Sequence, residues 1–348
     1  MRRSWRFWAG VAVTVLLVGY ALRGQDFGEM RDAFRRFNYW YLLPAVALYF
    51  IGVWFRAVRW RILLKPVVPV SSRDVLPVVI IGFMANNLLP FRAGEIARSY
   101  ALSRKTGARK TSALATIAVE RLFDGITMLG FILGAATVVS LTSDLRHVAL
   151  VAFIVFTVGI LVLVLLTLGG DMRDRLLQIV LGPLPTALAD RIEAMAESFL
   201  AGLGVLRRRA DLAAVAGCSV LAWAFEASMY WVIARGFADP LPEKMTPAAT
   251  MLTTGVANLA TLIPSSPGYV GPFETGVKLV VDGALGVNGA LALSYAFLVH
   301  AALFFPVTIL GLIVTWRERI SFSQLRDADE TVDDAEAPRG DEALGVRR

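Results

Sequence analysis

The stretch "ANNLLPFRAGEIARSYALSRK", residues 85–105, decides how the chain is folded. An apolar run leads into paired asparagines and Pro90, and three charged residues follow directly, namely Arg92, Glu95 and Arg98. In a soluble protein this pattern marks an ordinary helix end, because proline and asparagine favour breaks and turns. The meaning of the break therefore depends on the kind of protein that surrounds it.

The composition is typical of a membrane protein. Of the 348 residues, 56% are hydrophobic and 18% are charged, and the mean hydropathy is +0.61. Several apolar runs are long enough to cross a hydrocarbon core about 30 Å thick. The runs are continuous rather than alternating, which disfavours a β-barrel. We predict an all-α, polytopic helical membrane protein with about six full spans, at 7–22, 40–56, 112–140, 147–168, 211–234 and 291–316.

The charges favour a lipid surface over nucleic acid. The formal charge is +7, and basic residues cluster at the ends of the apolar runs, as the positive-inside rule predicts. Both termini are therefore expected in the cytoplasm, with the chain in the inner (cytoplasmic) membrane. A single cysteine and two histidines exclude an internal disulfide and disfavour a metal site. Motifs for ATP, dinucleotides or catalytic zinc are absent, so no cofactor is expected.

Two segments are predicted to be re-entrant hairpins. Residues 75–91 lie between basic clusters that both belong inside, so this segment is expected to enter the membrane and return. Residues 253–285 form a second broken helix, which is expected to enter from the outside. Broken backbone is tolerated at membrane depth only where protein buries it or a wet cavity adjoins it. The predicted turn residues are Pro90, Gly94, Pro264, Pro267, Gly268 and Gly271.

The two hairpins share an order of residue types. Each contains an asparagine, then a proline, a glycine and a glutamate, over 87–95 in the first and 258–274 in the second. Broken helices at corresponding places of two halves are typical of transporters built from inverted repeats, with a site near the midplane. An inverted repeat is thus one interpretation, and a chance similarity is the other, because the spacings differ.

The chain is expected to comprise a membrane domain, 1–320, and a disordered acidic tail, 321–348. The tail is expected to be disordered because residues 326–348 hold eight acidic and four basic residues and no aromatic one. Within the membrane domain, residues 169–210 are predicted to form a cytoplasmic amphipathic helix on the membrane, or a plain connecting helix. The first apolar run is expected to be a retained helix rather than a cleaved signal peptide.

Charges inside the third span are the strongest functional signal. Glu120, Arg121 and Asp124 lie in this span, and Glu120 and Asp124 share a helix face because they are four residues apart. Charges at such depth are costly unless they are paired or reach a wet cavity. They are interpreted as lining a substrate site, and a buried ion pair that only joins helices is the alternative.

Polar residues near the two breaks complete the predicted site. Helix N-terminal amides and guanidinium groups behind the first break could hold a phosphate oxygen. Interfacial anchoring is the alternative for Arg92 and Glu95 and the favoured interpretation of Arg98 taken alone, and helix capping is the alternative for Glu274. The predicted substrate-binding residues are Asn86, Asn87, Arg92, Glu95, Arg98, Glu120, Arg121, Asp124, Asn258 and Glu274.

Three other groups of residues receive their own interpretation. Glu226 either lines the cavity or bonds a neighbouring helix, and the sequence favours neither. His300 is interpreted as a core histidine rather than a proton relay. The basic residues after the second span are interpreted as contacts to lipid phosphates at the inner surface, and they are Arg56, Arg59 and Arg61.

Three stretches resemble the membrane region of the lysylphosphatidylglycerol synthase/flippase family. They are "NNLLPFRAGEIARSYALSRKTG" (86–107), "ATIAVERLFDGITM" (115–128) and "IPSSPGYVGPFE" (263–274), and the likeness spans residues 5–320. The resemblance implies a stand-alone, flippase-like protein that moves lipids with charged or glycosylated headgroups between leaflets. By motif position, the resemblance also implies that the family's functional residues correspond here to Asn87, Pro90, Gly94, Glu95, Arg98, Glu120, Arg121, Asp124, Pro264, Pro267, Gly268, Gly271 and Glu274.

The sequence therefore favours a lipid translocase rather than an enzyme. The expected partners are membrane lipids, anionic or with a modified headgroup, and no nucleic acid. The resemblance argues against lysyl-lipid synthesis, because aminoacyl transfer in that family belongs to a separate soluble domain. Two alternatives stay open. One is a membrane-embedded enzyme acting on polyprenyl phosphate or pyrophosphate, and the other is a non-transporting partner of an envelope lipid or glycan synthase.

Overall fold

The computed structural model of the protein describes residues 2–89, 93–168, 208–263, 265–320 and 324. This part of the chain forms α-helices and short 3-10 turns without a strand, which confirms the all-α prediction. The helices are α1 Arg2–Leu22, α2 Phe27–Arg36, α3 Leu42–Leu64, α4 Ser72–Leu88, α5 Gly94–Thr106, α6 Lys110–Ala135, α7 Ser143–Leu168, α8 Arg209–Arg235, α9 Leu241–Lys244, α10 Pro247–Ala260, α11 Pro272–Val281 and α12 Gly289–Arg317. The predicted amphipathic segment up to residue 207, and the predicted tail apart from Gln324, lie outside these residues.

Four of the described helical stretches are long and apolar enough to cross a membrane. They are Tyr39–Leu64, Ser143–Leu161, Arg209–Arg235 and Gly289–Arg317. The apolar part of α1 is shorter, at Gly10–Leu22, and α6 carries several charges along its 26 residues. The protein is thus a multi-pass helical membrane protein, and the count of six spans stays a prediction.

Helices α3 and α8 form an antiparallel pair at the centre of the molecule. Lys65 bonds Asp211 at one end of the pair, Arg59 bonds Ser219 further along, and a Cβ atom at Gly52 would lie 2.9 Å from the carbonyl oxygen of Ala222. The pair's opposite directions place the C-terminal ends of α3 and α8 at opposite ends of the molecule. Each of the two predicted hairpins starts from one of these ends.

The first hairpin consists of α4 and α5. A capping box starts α4, in which the Ser71 hydroxyl accepts from the Asp74 amide and the Asp74 carboxylate accepts from the Ser71 amide. The chain then returns, because Lys105 near the end of α5 lies 3.4 Å from the Asp74 carbonyl oxygen. Gly94 permits the close approach of the two helices, since a Cβ atom there would lie 2.1 Å from the Gly82 oxygen.

The second hairpin consists of α10 and α11. Thr246 caps α10 by accepting a hydrogen bond from the Ala249 amide. Its helices also meet through a glycine, because a Cβ atom at Gly276 would lie 2.9 Å from the Cα of Ala257. The connection between them needs Gly271, whose φ of 101° lies in the region that favours glycine.

The packing of the two halves is reciprocal. Helix α4 of the first hairpin packs against α12, and α10 of the second hairpin packs against α6. Each hairpin therefore contacts the helix that follows the other hairpin, while α3 and α8 contact each other. Such exchanged contacts are what a pseudo-two-fold arrangement of two repeats produces.

Candidate functional site

A cavity lies where the two hairpin tips meet. Its volume is about 130 Å³, enough for several water molecules. The first hairpin contributes Asn86, Asn87 and Glu95, and the second contributes Asn258 and Thr261 among others. The tips are in direct proximity, because a Cβ atom at Gly268 would lie 3.5 Å from the Asn87 carbonyl oxygen. Aromatic side chains complete the lining, namely Tyr49, Phe83, Trp223, Tyr269, Phe273 and Phe304.

Asparagines fasten each tip to the scaffold. Asn86 accepts from the Gly94 amide at 2.9 Å, which closes the first hairpin onto itself. Asn87 donates to the Thr308 hydroxyl at 2.8 Å and so ties the first hairpin to α12. Asn258 donates to Glu226 at 3.1 Å and ties the second hairpin to α8. The polar residues that break the two helices therefore hold the broken ends in place.

One wall of the cavity contains a buried ion pair between α3 and α8. Arg56 Nη2 donates to Glu226 Oε2 at 2.7 Å, and the side chains are 7% and 5% exposed. The guanidinium lies over the Trp223 ring, 4.7 Å from its centroid, which adds a cation–π contact. Glu226 thus lines the cavity and also bonds neighbouring helices, so both interpretations of this residue apply.

A second ionic network lies behind the cavity, centred on Arg59 of α3. Its guanidinium donates to Asp124 at 2.6 Å, to Glu120 at 3.3 Å and to the Ser219 hydroxyl at 2.9 Å. The Trp223 indole also donates to Asp124, at 2.8 Å. Glu120 and Asp124 do share one helix face, as the four-residue spacing predicts, and that face is directed at Arg59 rather than at the cavity.

Arg98 of α5 joins this network. Its Nη2 lies 2.7 Å from Glu120 Oε2, and its guanidinium stacks 3.9 Å from the centroid of the Trp60 ring. Trp60 is in turn fixed by its indole bond to Thr116, at 2.9 Å. The Arg98 side chain is buried. Interfacial anchoring, the favoured interpretation of this residue, is therefore wrong.

Arg121 connects the buried network to the cavity. Its Nη1 lies 3.3 Å from Asp124, and its Nε lies 3.2 Å from Glu95 on the first hairpin. Its side chain is 36% exposed and that of Glu95 is 29% exposed, whereas Glu120 and Asp124 are almost fully buried. Among the charged residues that α6 was predicted to bring to the site, Arg121 is the one that lines the cavity.

The second hairpin presents a matching pair. Glu274 Oε1 lies 2.5 Å from His300 Nδ1 on α12, and Glu274 Oε2 accepts from the Gly271 amide at 2.7 Å. His300 lines the cavity, and Glu274 lies behind it, 1% exposed. In both halves the hairpin glutamate precedes its partner on the next helix by 26 residues. Glu95 with Arg121, and Glu274 with His300, are therefore equivalent pairs.

The structure separates the predicted site residues into two groups. Five of them line the cavity, namely Asn86, Asn87, Glu95, Arg121 and Asn258. Four others lie behind it in hydrogen bonds or ion pairs, namely Arg98, Glu120, Asp124 and Glu274. Gly94 is the first residue of α5, and Pro267, Gly268 and Gly271 lie between α10 and α11. The remaining predicted residues lie outside the described part of the chain, and they are Pro90, Arg92 and Pro264.

A second interpretation from the sequence is also wrong. Arg56 and Arg59 were placed at the inner surface, because the second span was expected to end at residue 56. Helix α3 instead continues to Leu64, so both arginines are interior and pair with acids on α6 and α8. Sequence reasoning also missed Tyr49, Trp223 and Phe304, since an aromatic residue in an apolar span carries no local sign of facing a cavity.

The match to known proteins agrees with this architecture. Residues 7–311 match the family described as Lysylphosphatidylglycerol synthase TM region. The chain belongs to this family. No solved structure matches it.

Three relatives extend the comparison. A UPF0104 membrane protein from Methanothermobacter thermautotrophicus is 24% identical over 87% of this chain and 90% of its own length. UPF0104 membrane protein PH1989 from Pyrococcus horikoshii is also 24% identical, over 90% of this chain and 92% of its own length. Glycosyltransferase AglD from Haloferax volcanii is 25% identical over 78% of this chain, and the match covers 47% of that protein.

Proposed function

We propose that this family member is a lipid translocase of the cytoplasmic membrane, which moves a charged or glycosylated lipid between leaflets. The observation that carries the proposal is the cavity between the two hairpin tips. It brings together two half-exposed ionic groups, three asparagines and a wall of aromatic rings. In this proposal the headgroup passes through the cavity while the acyl chains stay in the bilayer.

The ionic network supports this proposal by its charge balance. In the described part of the chain, the Arg56–Glu226 pair and the network around Arg59 together contain four guanidinium groups and four carboxylates. Most of these groups are buried and paired with an opposite charge, which offsets part of the cost of placing charge inside a membrane. Glu95 and Arg121 stay half-exposed at the cavity. A headgroup that carries both an anion and hydrogen-bond donors could contact this pair.

The relative named glycosyltransferase AglD favours a glycosylated lipid within this class. Aromatic faces with amide and carboxylate groups placed between them are a lining that suits a polar, ring-shaped headgroup. The same name keeps a second candidate open, in which this chain assists a glycan synthase without moving lipid itself. The enzyme alternative has less support. It needs a pair of carboxylates that can bind a metal ion or act on the substrate, and the pair on α6, Glu120 and Asp124, is bound by Arg59 instead.

The proposed topology has both termini in the cytoplasm and two re-entrant hairpins. It predicts that Ser103, near the end of the first hairpin, faces the cytoplasm and that Asp239, after α8, faces outside. Single cysteines at these positions, in a Cys218→Ser background, test this by labelling with a membrane-impermeant maleimide. Labelling of both cysteines from the same side would contradict the topology.

Mass spectrometry of lipids retained by the gently purified protein tests the function. The wild type is expected to enrich one charged or glycosylated lipid over the bulk membrane, and Glu95→Gln is expected to lose that enrichment. Glu318→Gln is the matched control, because Glu318 pairs with Lys105 away from the cavity. A retained pool identical to the bulk membrane in all three proteins would overturn the proposal.

A further inference from the structure

The Glu274–His300 pair has a hydrogen-bond pattern that requires an extra proton. His300 Nε2 lies 2.7 Å from the Gly268 carbonyl oxygen, which can only accept, so Nε2 carries a hydrogen. His300 Nδ1 lies 2.5 Å from Glu274 Oε1. If the glutamate were ionised and the histidine neutral, two acceptors would face each other at that distance. A proton therefore lies between Nδ1 and Oε1, on one atom or the other.

We propose that the Glu274–His300 pair is a proton-binding site that couples proton movement to the translocation of lipid, an inference that rests on the proposed function. Histidine suits this role because it gains and loses a proton near neutral pH. His300 reaches the cavity and Glu274 is enclosed behind it, so cavity water supplies and removes the proton.

The exchange step balances as follows. With the proton bound, the pair is neutral overall and joins the second hairpin to α12. On release, the proton passes to cavity water, Glu274 keeps one negative charge, and His300 is neutral with its hydrogen on Nε2. Oε1 and Nδ1 then repel each other, so the contact between Glu274 and His300 opens, while the Nε2 bond to the Gly268 carbonyl oxygen remains. Proton release thus loosens the second hairpin, which forms one side of the cavity, against α12.

The surroundings restrict which other groups act on this pair. Phe273 and Phe304 flank the imidazole, with ring centroids 4.6 and 6.3 Å away. Glu274 is the acidic residue of α11 that contacts His300. Around the same cavity, the 3-10 turn before α11 places Tyr269 and α4 places the uncharged Asn87. The charged groups across the cavity pair with acids or bases of their own, and they are Arg56 with Glu226 and Arg121 with Glu95.

The proton site itself is tested by nuclear magnetic resonance. The chain has two histidines, so in a His147→Gln variant labelled with 15N-histidine both imidazole nitrogen signals belong to His300. His147 is exposed on α7, which makes the replacement a mild one. We expect the nitrogen shifts of an imidazole that shares a proton at Nδ1, and a change to a neutral imidazole in Glu274→Gln. A neutral imidazole that Glu274→Gln leaves unchanged would overturn the site.

The coupling is tested in liposomes that contain the full-length protein and fluorescently labelled phosphatidylglycerol. A gradient of one pH unit is expected to displace the leaflet distribution of the probe by up to about tenfold per proton carried. His300→Gln is expected to abolish the displacement, and His147→Gln to leave it intact. Transfer by the wild type that ignores the gradient would overturn the coupling and spare the proposed function. If the wild type transferred no lipid at all, that result would count against both the coupling and the proposed function. The magnetic resonance experiment tests the proton site independently of lipid transfer.

Discussion

In the first half of the chain the hairpin glutamate, Glu95, contacts an arginine, and in the second half its equivalent, Glu274, contacts a histidine. Both partners lie 26 residues after the acid, on the helix that follows the hairpin. Arginine stays charged at every pH a cell experiences, whereas histidine does not. The first pair is thus an ionic contact through a permanent cation, and the second is the pair that we propose exchanges a proton.

The surroundings of the two pairs differ in the same sense. Helix α6 adds Glu120 and Asp124 to the first pair's network, and Arg59 and Arg98 neutralise them. Helix α12 surrounds His300 with aromatic and aliphatic side chains. The comparison suggests a division of labour, in which the first half is held rigid by ion pairs and the second half provides the moving tip. The predictions below test that division.

The largest effect is expected from Arg59→Met. Removing this guanidinium leaves two buried carboxylates without their shared partner, and such a loss costs about 3–5 kcal/mol. Little folded protein is expected, as measured by size-exclusion chromatography in detergent. The double variant Arg59→Met/Asp124→Asn should recover part of the loss, because it removes one excess negative charge and leaves the Arg98–Glu120 and Arg121–Glu95 pairs in place. An Arg59→Met protein as stable as the wild type would contradict the claim that buried ion pairs hold the first half rigid.

A smaller effect is expected from an added methyl group at the helix contact of each hairpin. In Gly94→Ala the new Cβ would lie 2.1 Å from a backbone oxygen, whereas in Gly276→Ala it would lie 2.9 Å from Ala257 and Ala260. We expect a loss of about 3 kcal/mol for the first and about 1 kcal/mol for the second, as overpacking usually costs. Denaturant titration in mixed micelles measures both. Equal losses would show that the two hairpins are equally tight.

A functional effect of about tenfold is expected from His300→Arg, which gives the second pair the permanent charge of the first. The protein should fold, because the arginine still faces Glu274. In a gradient of one pH unit the displacement of labelled lipid should disappear, a change of about tenfold per proton. His147→Gln, at the exposed histidine of α7, is the control and should keep the response. A His300→Arg protein that still follows the gradient would contradict the division of labour.

The smallest effect is expected at the helix caps, where the two hairpins should behave alike. Ser71→Ala and Thr246→Ala each remove one side-chain acceptor at a helix N-terminus, worth about 1 kcal/mol. The free energy of unfolding measures the change, with Ser72→Ala as the control. A loss in only one of the two variants would indicate that the N-cap contributes to the free energy of unfolding in that hairpin alone.

Much of this arrangement could be predicted from local sequence. The broken helices, their turn glycines and the cavity positions of Asn86, Asn87 and Asn258 follow from polar and helix-breaking residues inside apolar runs. The facing of Glu120 and Asp124 follows from helical spacing. The repeat of a glutamate followed 26 residues later by a base was also present in the sequence and is a signal that could have identified His300.

The partners of the charges could not be predicted in this way. Arg59 lies 61 and 65 residues from the two acids it bonds, and Arg56 lies 170 residues from Glu226. Such contacts depend on how α3 packs against α6 and α8, which no local pattern encodes. The same limit explains why Arg56 and Arg59 resembled surface arginines, because a charge at the end of an apolar run usually meets lipid phosphates.

The central claim, that a lipid headgroup occupies the cavity between the hairpin tips, is tested most directly by photo-crosslinking at two adjacent residues. Phe304 lines the cavity, and its neighbour Phe305 is exposed on the outer surface of α12. A photoreactive phenylalanine analogue at each position captures whatever lies against it in the membrane. Mass spectrometry should identify adducts to a lipid headgroup at residue 304 and adducts to acyl chains at residue 305. Acyl-chain adducts at both positions would contradict the account.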